Sequence, residues 1–127
     1  MSQNTTILIA EDSSVILSLT RKILQLQNYN ILTAKNGREV LQRVEESNID
    51  LILLDINIPI MNGMDVARSI RSHANKQVAK TPIVAITGNA NNYSMEQFKE
   101  AGIDVYLPKP LDFDQLVETV KRYTNNS

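Results

Sequence analysis

Residues 51–63 read LILLDINIPIMNG. The four apolar residues Leu51–Leu54 fit a strand buried on both faces, although so short a run does not by itself separate strand from buried helix. Asp55 ends the run. Pro59 and Asn62-Gly63 then take the chain through a turn, and Asn62 stands where a helix cap is wanted. Val66, Ala67 and Ile70 follow at helical spacing. The stretch is therefore one strand–turn–helix unit with a carboxylate at the strand's end.

Reading outward, the unit recurs. Apolar, mostly β-branched runs stand at Ile7–Ala10, Asn30–Ala34, Ile83–Ile86 and Ile103–Leu107. Between them lie amphipathic segments. Val15, Leu19, Ile23 and Leu26 follow the caps Ser13-Ser14; Val40, Leu41 and Val44 follow Asn36; Met95, Phe98 and Ala101 end at Gly102; Phe113, Leu116, Val117 and Val120 follow Asp112. Strand and helix alternate five times. The fold class is α/β: a (βα)5 doubly wound, five-stranded parallel sheet with helices on both faces.

Size and composition agree. A chain of 127 residues, 43% hydrophobic and 21% charged, reads as a single domain, 1–127, with its core at about 6–123 and polar tails at both ends. Thirteen Lys and Arg against fourteen Asp and Glu give a net charge of -1, no footprint for nucleic acid or an anionic membrane. No cysteine and one histidine, His73, exclude thiolate chemistry and multi-histidine metal sites. No leader or spanning segment is legible, so a cytoplasmic location is expected.

In open α/β sheets ligands sit beyond the carboxyl ends of the strands. Here those ends carry Glu11-Asp12, Asp55, Thr87 and Lys109-Pro110. Each alone has an ordinary explanation as cap, turn residue or solvated charge. Together they bring three carboxylates to one edge. Two carboxylates about 4 Å apart repel by roughly 4 kcal/mol at an effective dielectric near 20, so the group calls for cations. Lys109 supplies one, and Mg²⁺, a hard oxygen-seeking ion, is the natural second. Asp55 as nucleophile, with the metal, Lys109 and Thr87 binding the phosphoryl oxygens, makes a phosphoryl-transfer site.

With these motifs in order, the chain from about Thr6 to Tyr123 resembles the receiver domain of two-component response regulators, of the stand-alone chemotaxis-regulator type. The resemblance rests on Glu11-Asp12, the segment Asp55–Gly63, Thr87-Gly88, Tyr106 and Lys109-Pro110. It implies the flavodoxin-like strand order 2-1-3-4-5, and that Asp55 is the phosphoacceptor, supplied by a sensor histidine kinase or histidine phosphotransfer protein. It further implies that Asp12, Asp55 and the backbone carbonyl of Asn57 ligate Mg²⁺, with Glu11 acting through water. Lys109 would pair with the phosphoryl group, with the Lys109–Pro110 bond cis, and Gly88 would leave a path to the aspartate. Thr87 and Tyr106 would be the switch residues, biasing the face formed by the fourth helix, fifth strand and fifth helix toward a downstream protein. Asn57 and Asn89 stand where the lifetime of the acyl phosphate is tuned. Ile58 and Asn62 depart mildly from the family pattern. The chain's length leaves nothing over for an output module, so any effect would pass through another protein.

Three other readings stay open at this point. A flavin carrier on the same fold needs a neutral phosphate cradle where Glu11-Asp12 stand. An aspartyl-phosphate phosphatase wants an acid where Asn57 stands. A degenerate receiver would serve only as a scaffold. Elsewhere, His73 is expected to be a solvated residue near the end of the third helix. Arg68, Arg71, Lys76 and Lys80 are expected to form a solvated basic face, Gly88–Asn92 a mobile loop, and Tyr123–Ser127 a frayed tail. Met61 and Met64 are expected to serve packing and the loop.

Overall fold

The computed structural model describes residues 5–88 and 93–124. Its strands are β1 (Thr6–Ala10), β2 (Asn30–Ala34), β3 (Leu51–Asp55), β4 (Ile83–Thr87) and β5 (Val105–Pro108). All pair in parallel, as expected from the alternation, and in the order β2-β1-β3-β4-β5 that the resemblance implies. The helices are α1 (Ser14–Gln25), α2 (Gly37–Glu46), α3 (Gly63–Arg71), α4 (Lys76–Ala79), α5 (Met95–Ala101) and α6 (Phe113–Thr124).

The period-two geometry of each strand divides the core into two layers. Leu8, Ile52, Leu54 and Ala85 join α2, α3 and α5 in one cluster. Ile7, Ile9, Leu51, Leu53, Val84 and Ile86 join α1 and α6 in the other. All five residues of β3 are buried, which is why Leu51–Leu54 is a continuous apolar run instead of alternating before Asp55 ends the strand.

The capping residues act as their positions suggest. Ser13, Asn36 and Asn62 accept from the amides of Ile16, Glu39 and Met64, and Asp112 accepts from Gln115 at 3.1 Å. Ser94, which sequence reading passed over, forms a reciprocal capping box with Gln97. Gly102 closes α5 at φ +92°, a conformation that costs glycine nothing.

Four expectations are corrected. A sixth helix, α4, separates α3 from β4; it is one turn long, buries no residue and is started by the Asn75 side chain, so it leaves no apolar periodicity to read. The fifth strand starts at Val105, not Ile103, because the Ile103 amide instead donates to the Phe98 carbonyl closing α5. Tyr123 and Thr124 belong to α6, where the Thr124 hydroxyl bonds the Val120 carbonyl at 2.8 Å; residues 125–127 of the expected tail, and 89–92 of the expected loop, lie outside the described residues.

Arg71 is the fourth. It is not on a solvated face: its guanidinium donates to the carbonyls of Gly102 (2.9 Å), Ala79 (2.8 Å) and Thr81 (2.7 Å) and to Asp104 (3.0 Å). The Asp104 carboxylate also accepts from the Ile83 amide. One planar fork thus ties the ends of α3, α4 and α5 to the start of β4. Arg71→Met is expected to lower the unfolding free energy in urea by about 2–3 kcal/mol, since several carbonyls lose a charged donor together. A loss below about 0.5 kcal/mol, within the range of ordinary surface changes, would refute this clamp.

Candidate functional site

The sheet register assembles the site. Ala10 pairs with Leu54 and Asp55 with Ile86, so the residues leaving β1 lie beside the end of β3. Glu11, Asp12 and Asp55 present carboxylate oxygens that all lie within 4.8 Å of one another. Asp55 is 2% exposed and Glu11 4%, whereas Asp12 faces solvent. From the far side, the Lys109 amide donates to the Thr87 carbonyl at 2.9 Å, carrying the β4–β5 ladder one step further. That step places Lys109 Nζ 3.0 Å from Asp55 Oδ2. Asp55 Oδ1 accepts from the Asn57 amide at 3.0 Å, and Glu11 Oε2 accepts from the Ser13 amide at 2.9 Å. Thr87 is buried at the end of β4, and the Lys109–Pro110 peptide is cis. A cleft of about 340 Å³ is bordered by Glu11, Asp12, Lys109 and Pro110 and on the α1 side by Ile16 and Leu19.

The charges explain the titration directions. Burial pushes the Glu11 carboxyl above its ordinary range; the Ser13 amide opposes the rise, and the neighbouring charges of Asp55 and Asp12 add to it. Burial alone would lower Lys109, but its hydrogen bond to Asp55 and the charges of Asp55, Glu11 and Asp12 outweigh burial, so its ammonium is held above the usual lysine value of 10.5. A raised lysine stabilises the fold fully below 10.5, and that contribution disappears as pH rises through the folded value. A raised carboxyl works the other way: the folded state binds the extra proton, so stability falls as pH climbs above the ordinary value of 4.5. Metal-free Glu11→Gln should therefore be more stable than wild type at pH 7, by on the order of 1 kcal/mol, with the gap closing below pH 4.5. Urea titrations in chelator across this range check it, and a less stable variant at pH 7 would contradict the charge assignment.

Every site residue read from the strand ends meets at this edge. At Gly88 a Cβ would lie 3.7 Å from Lys109 Cδ, in ordinary van der Waals contact. Tyr106 is half-buried on β5, its ring stacked on Phe98 with centroids 5.2 Å apart and planes 19° apart. Phe98 in turn meets Tyr93 at 5.7 Å, whose hydroxyl receives the Asn62 amide at 3.3 Å. Sequence reading missed this aromatic row, although Phe98 and Tyr106 are legible as facing residues once α5 is set beside β5. His73 is no solvated residue: its ring pairs with Glu45 and accepts from the Asn75 amide at 2.9 Å. Asn89 lies outside the described residues. Met64 is buried and Met61 packs against the same core cluster, as expected.

Comparison with known proteins places this geometry. The chain is 27% identical over 121 residues to the polar-differentiation response regulator DivK of Brucella anthropi, covering 95% of this chain and 97% of that one. Its fold matches the receiver domain of a sensor histidine kinase of Pseudomonas aeruginosa, whose structure holds a magnesium ion coordinated in the active-site cleft (TM-score 0.86, 28% identity, 97% and 99% covered). It also matches the response regulator TrrA of Thermotoga maritima in complex with Mg²⁺ and BeF (TM-score 0.81, 34% identity, 94% and 98% covered). Among the described residues no helix is long and apolar enough to cross a membrane. The response regulator receiver domain model matches residues 7–121, and with that span of the chain covered, this protein belongs to the response regulator receiver family of two-component signalling.

Proposed function

We propose that residues 6–123 act as one phosphorylation switch in which Asp55 accepts a phosphoryl group from a phosphohistidine on a sensor kinase or histidine phosphotransfer protein. One observation carries the reading: a nearly buried carboxylate at the end of the central strand, with Lys109 Nζ 3.0 Å away and two more carboxylates within 4.8 Å. The hard oxygen donors of this cluster suit Mg²⁺. Asp12, Asp55 and the Asn57 carbonyl would hold it directly, and Glu11, tied to the Ser13 amide, through water. Bound there, the ion supplies the positive charge that one lysine cannot.

The protein's own residues do the rest. An Asp55 oxygen attacks phosphorus in line; an O–P bond forms as the donor's P–N bond breaks, and the bonding pair returns to the imidazole nitrogen. Lys109 and the Thr87 hydroxyl bind the phosphoryl oxygens where charge builds up. The added charge then draws Thr87 and Lys109 inward, Tyr106 reorients, and the face of α5, β5 and α6 is biased toward a downstream protein. Those elements are the fourth helix, fifth strand and fifth helix of the (βα)5 count. The location proposed for this signalling is cytoplasmic.

Incubation with acetyl phosphate and Mg²⁺ should add one phosphoryl mass to the intact protein, and chelator should abolish the addition. Hydrogen exchange should then change most along α5 and β5. Labelling that ignores chelator, or a mass that never changes, would defeat the reading.

A further inference from the structure

Tyr93 stands one residue before the Ser94 cap of α5 and Phe98 four residues after it, and their rings meet with centroids 5.7 Å apart. This is the apolar staple that fixes how a chain enters a helix, so Tyr93 travels with α5 as one body. Phe98 is buried and also stacks on Tyr106. The row of rings ends outside α5. Asn62, in the loop leaving Asp55, donates its side-chain amide to the Tyr93 hydroxyl at 3.3 Å, while its Oδ1 caps the Met64 amide of α3 at 2.7 Å.

The two ends of α5 are held to α3 by bonds of different strength. At the C-terminal end Arg71 donates to the Gly102 carbonyl and to Asp104, and Arg68 reaches Glu100 at 2.9 Å. A Cβ on Gly102 would come within 2.3 Å of Arg71 Cγ, so that end is closely packed as well. Charge-assisted bonds of this kind are roughly twice as strong as neutral ones. At the N-terminal end the bonds between Ser94 and Gln97 stay within the helix. The tie to α3 there is the neutral bond from Asn62 to Tyr93, longer than most of its kind. A helix bolted at one end and lightly held at the other yields at the light end.

We propose that the Asn62–Tyr93 hydrogen bond is a latch that holds α5 in its unphosphorylated position and opens when Asp55 is phosphorylated, with α5 pivoting about its Arg71 end. This rests on the switch reading of Asp55. In the structure Asp55 is unmodified, its oxygens taken by Lys109 and the Asn57 amide, and the latch is closed. Reorientation of Tyr106 withdraws the ring stacked on Phe98, and Tyr93, stapled to Phe98, then loses its alignment with Asn62. A bond made in one state and lost in the other shifts the equilibrium toward the first. The latch is therefore inhibitory, and cutting it favours the phosphorylated arrangement.

Titration of the full chain with beryllofluoride, a phosphoryl stand-in, at saturating Mg²⁺ tests this, with binding followed by calorimetry. Tyr93→Phe keeps the ring and loses the hydroxyl; Asn62→Ser keeps a helix cap and loses the amide donor. Each should bind beryllofluoride about threefold tighter than wild type, the effect of one partly exposed neutral hydrogen bond. The double variant should bind no tighter than either, because both changes cut the same bond. Glu100→Ala, which loosens the far end of α5, should keep the wild-type affinity. Wild-type or weaker affinity in Tyr93→Phe overturns the proposal and leaves the bond a structural one. So do additive gains in the double variant, or a gain in Glu100→Ala equal to that in Tyr93→Phe, which would mean that any loosening of α5 suffices. If Asp55→Asn bound beryllofluoride as wild type does, the phosphoacceptor reading would fall first, and this proposal with it.

Discussion

Asp12→Asn is expected to weaken Mg²⁺ binding by at least about tenfold and to slow acetyl phosphate labelling of Asp55 by roughly 10²-fold. Asp12 is the one member of the acidic group that faces solvent, so it can meet an incoming hydrated ion without rearrangement. Glu11 is committed to the Ser13 amide, and Asp55 divides its oxygens between Lys109 and the Asn57 amide. Losing one charged oxygen ligand from such a set leaves too little charge to draw a strongly hydrated ion. Isothermal titration with Mg²⁺, followed by labelling at saturating metal, separates the two effects. Wild-type affinity in Asp12→Asn would remove this residue from the metal set.

Lys109→Met should move the same two quantities in opposite directions. Its ammonium lies 3.0 Å from Asp55 Oδ2 and competes with any second cation for the same carboxylates. Without it, Mg²⁺ should bind roughly tenfold tighter, a modest change because solvent screens part of the repulsion. Labelling of Asp55 should nevertheless fall by roughly 10²-fold, because a positioned donor to the phosphoryl oxygens is gone. A merely structural lysine would give neither sign reversal nor a large rate loss with the metal site intact. Parallel loss of both metal affinity and rate would indicate collapse of the edge and contradict the assignment.

The parts of the fold that were legible are those in which each local choice points the same way. Leu51–Leu54 is buried on both faces and looks it; Ser13, Asn36, Asn62 and Asp112 cap helices from positions that admit few other roles. The carboxylates and lysine at the strand ends were legible because parallel strands put their C-terminal residues on one edge. What stayed hidden depends on contacts between segments distant in the chain. Arg71 reaches Gly102 and Asp104 some thirty positions on, and nothing in its local sequence distinguishes it from the exposed Arg68. His73, in the link between α3 and α4, meets Glu45 of α2, and Phe98 meets Tyr106 only once α5 lies on β5. The left-handed turn at Ile60 is set by the pinning of Pro59 and Met61 against Gly37, with no glycine or asparagine of its own to announce it.

The account stands on the identity of the phosphoryl acceptor. An aspartyl phosphate is an acyl phosphate, which borohydride reduces to an alcohol that survives digestion and marks the residue. After acetyl phosphate labelling with Mg²⁺, borohydride reduction and peptide sequencing by mass spectrometry, homoserine is predicted at position 55 in the peptide spanning β3. Reduction at Asp12 or Glu11 instead, or phosphate retained on His73 with position 55 unmodified, would contradict the central claim.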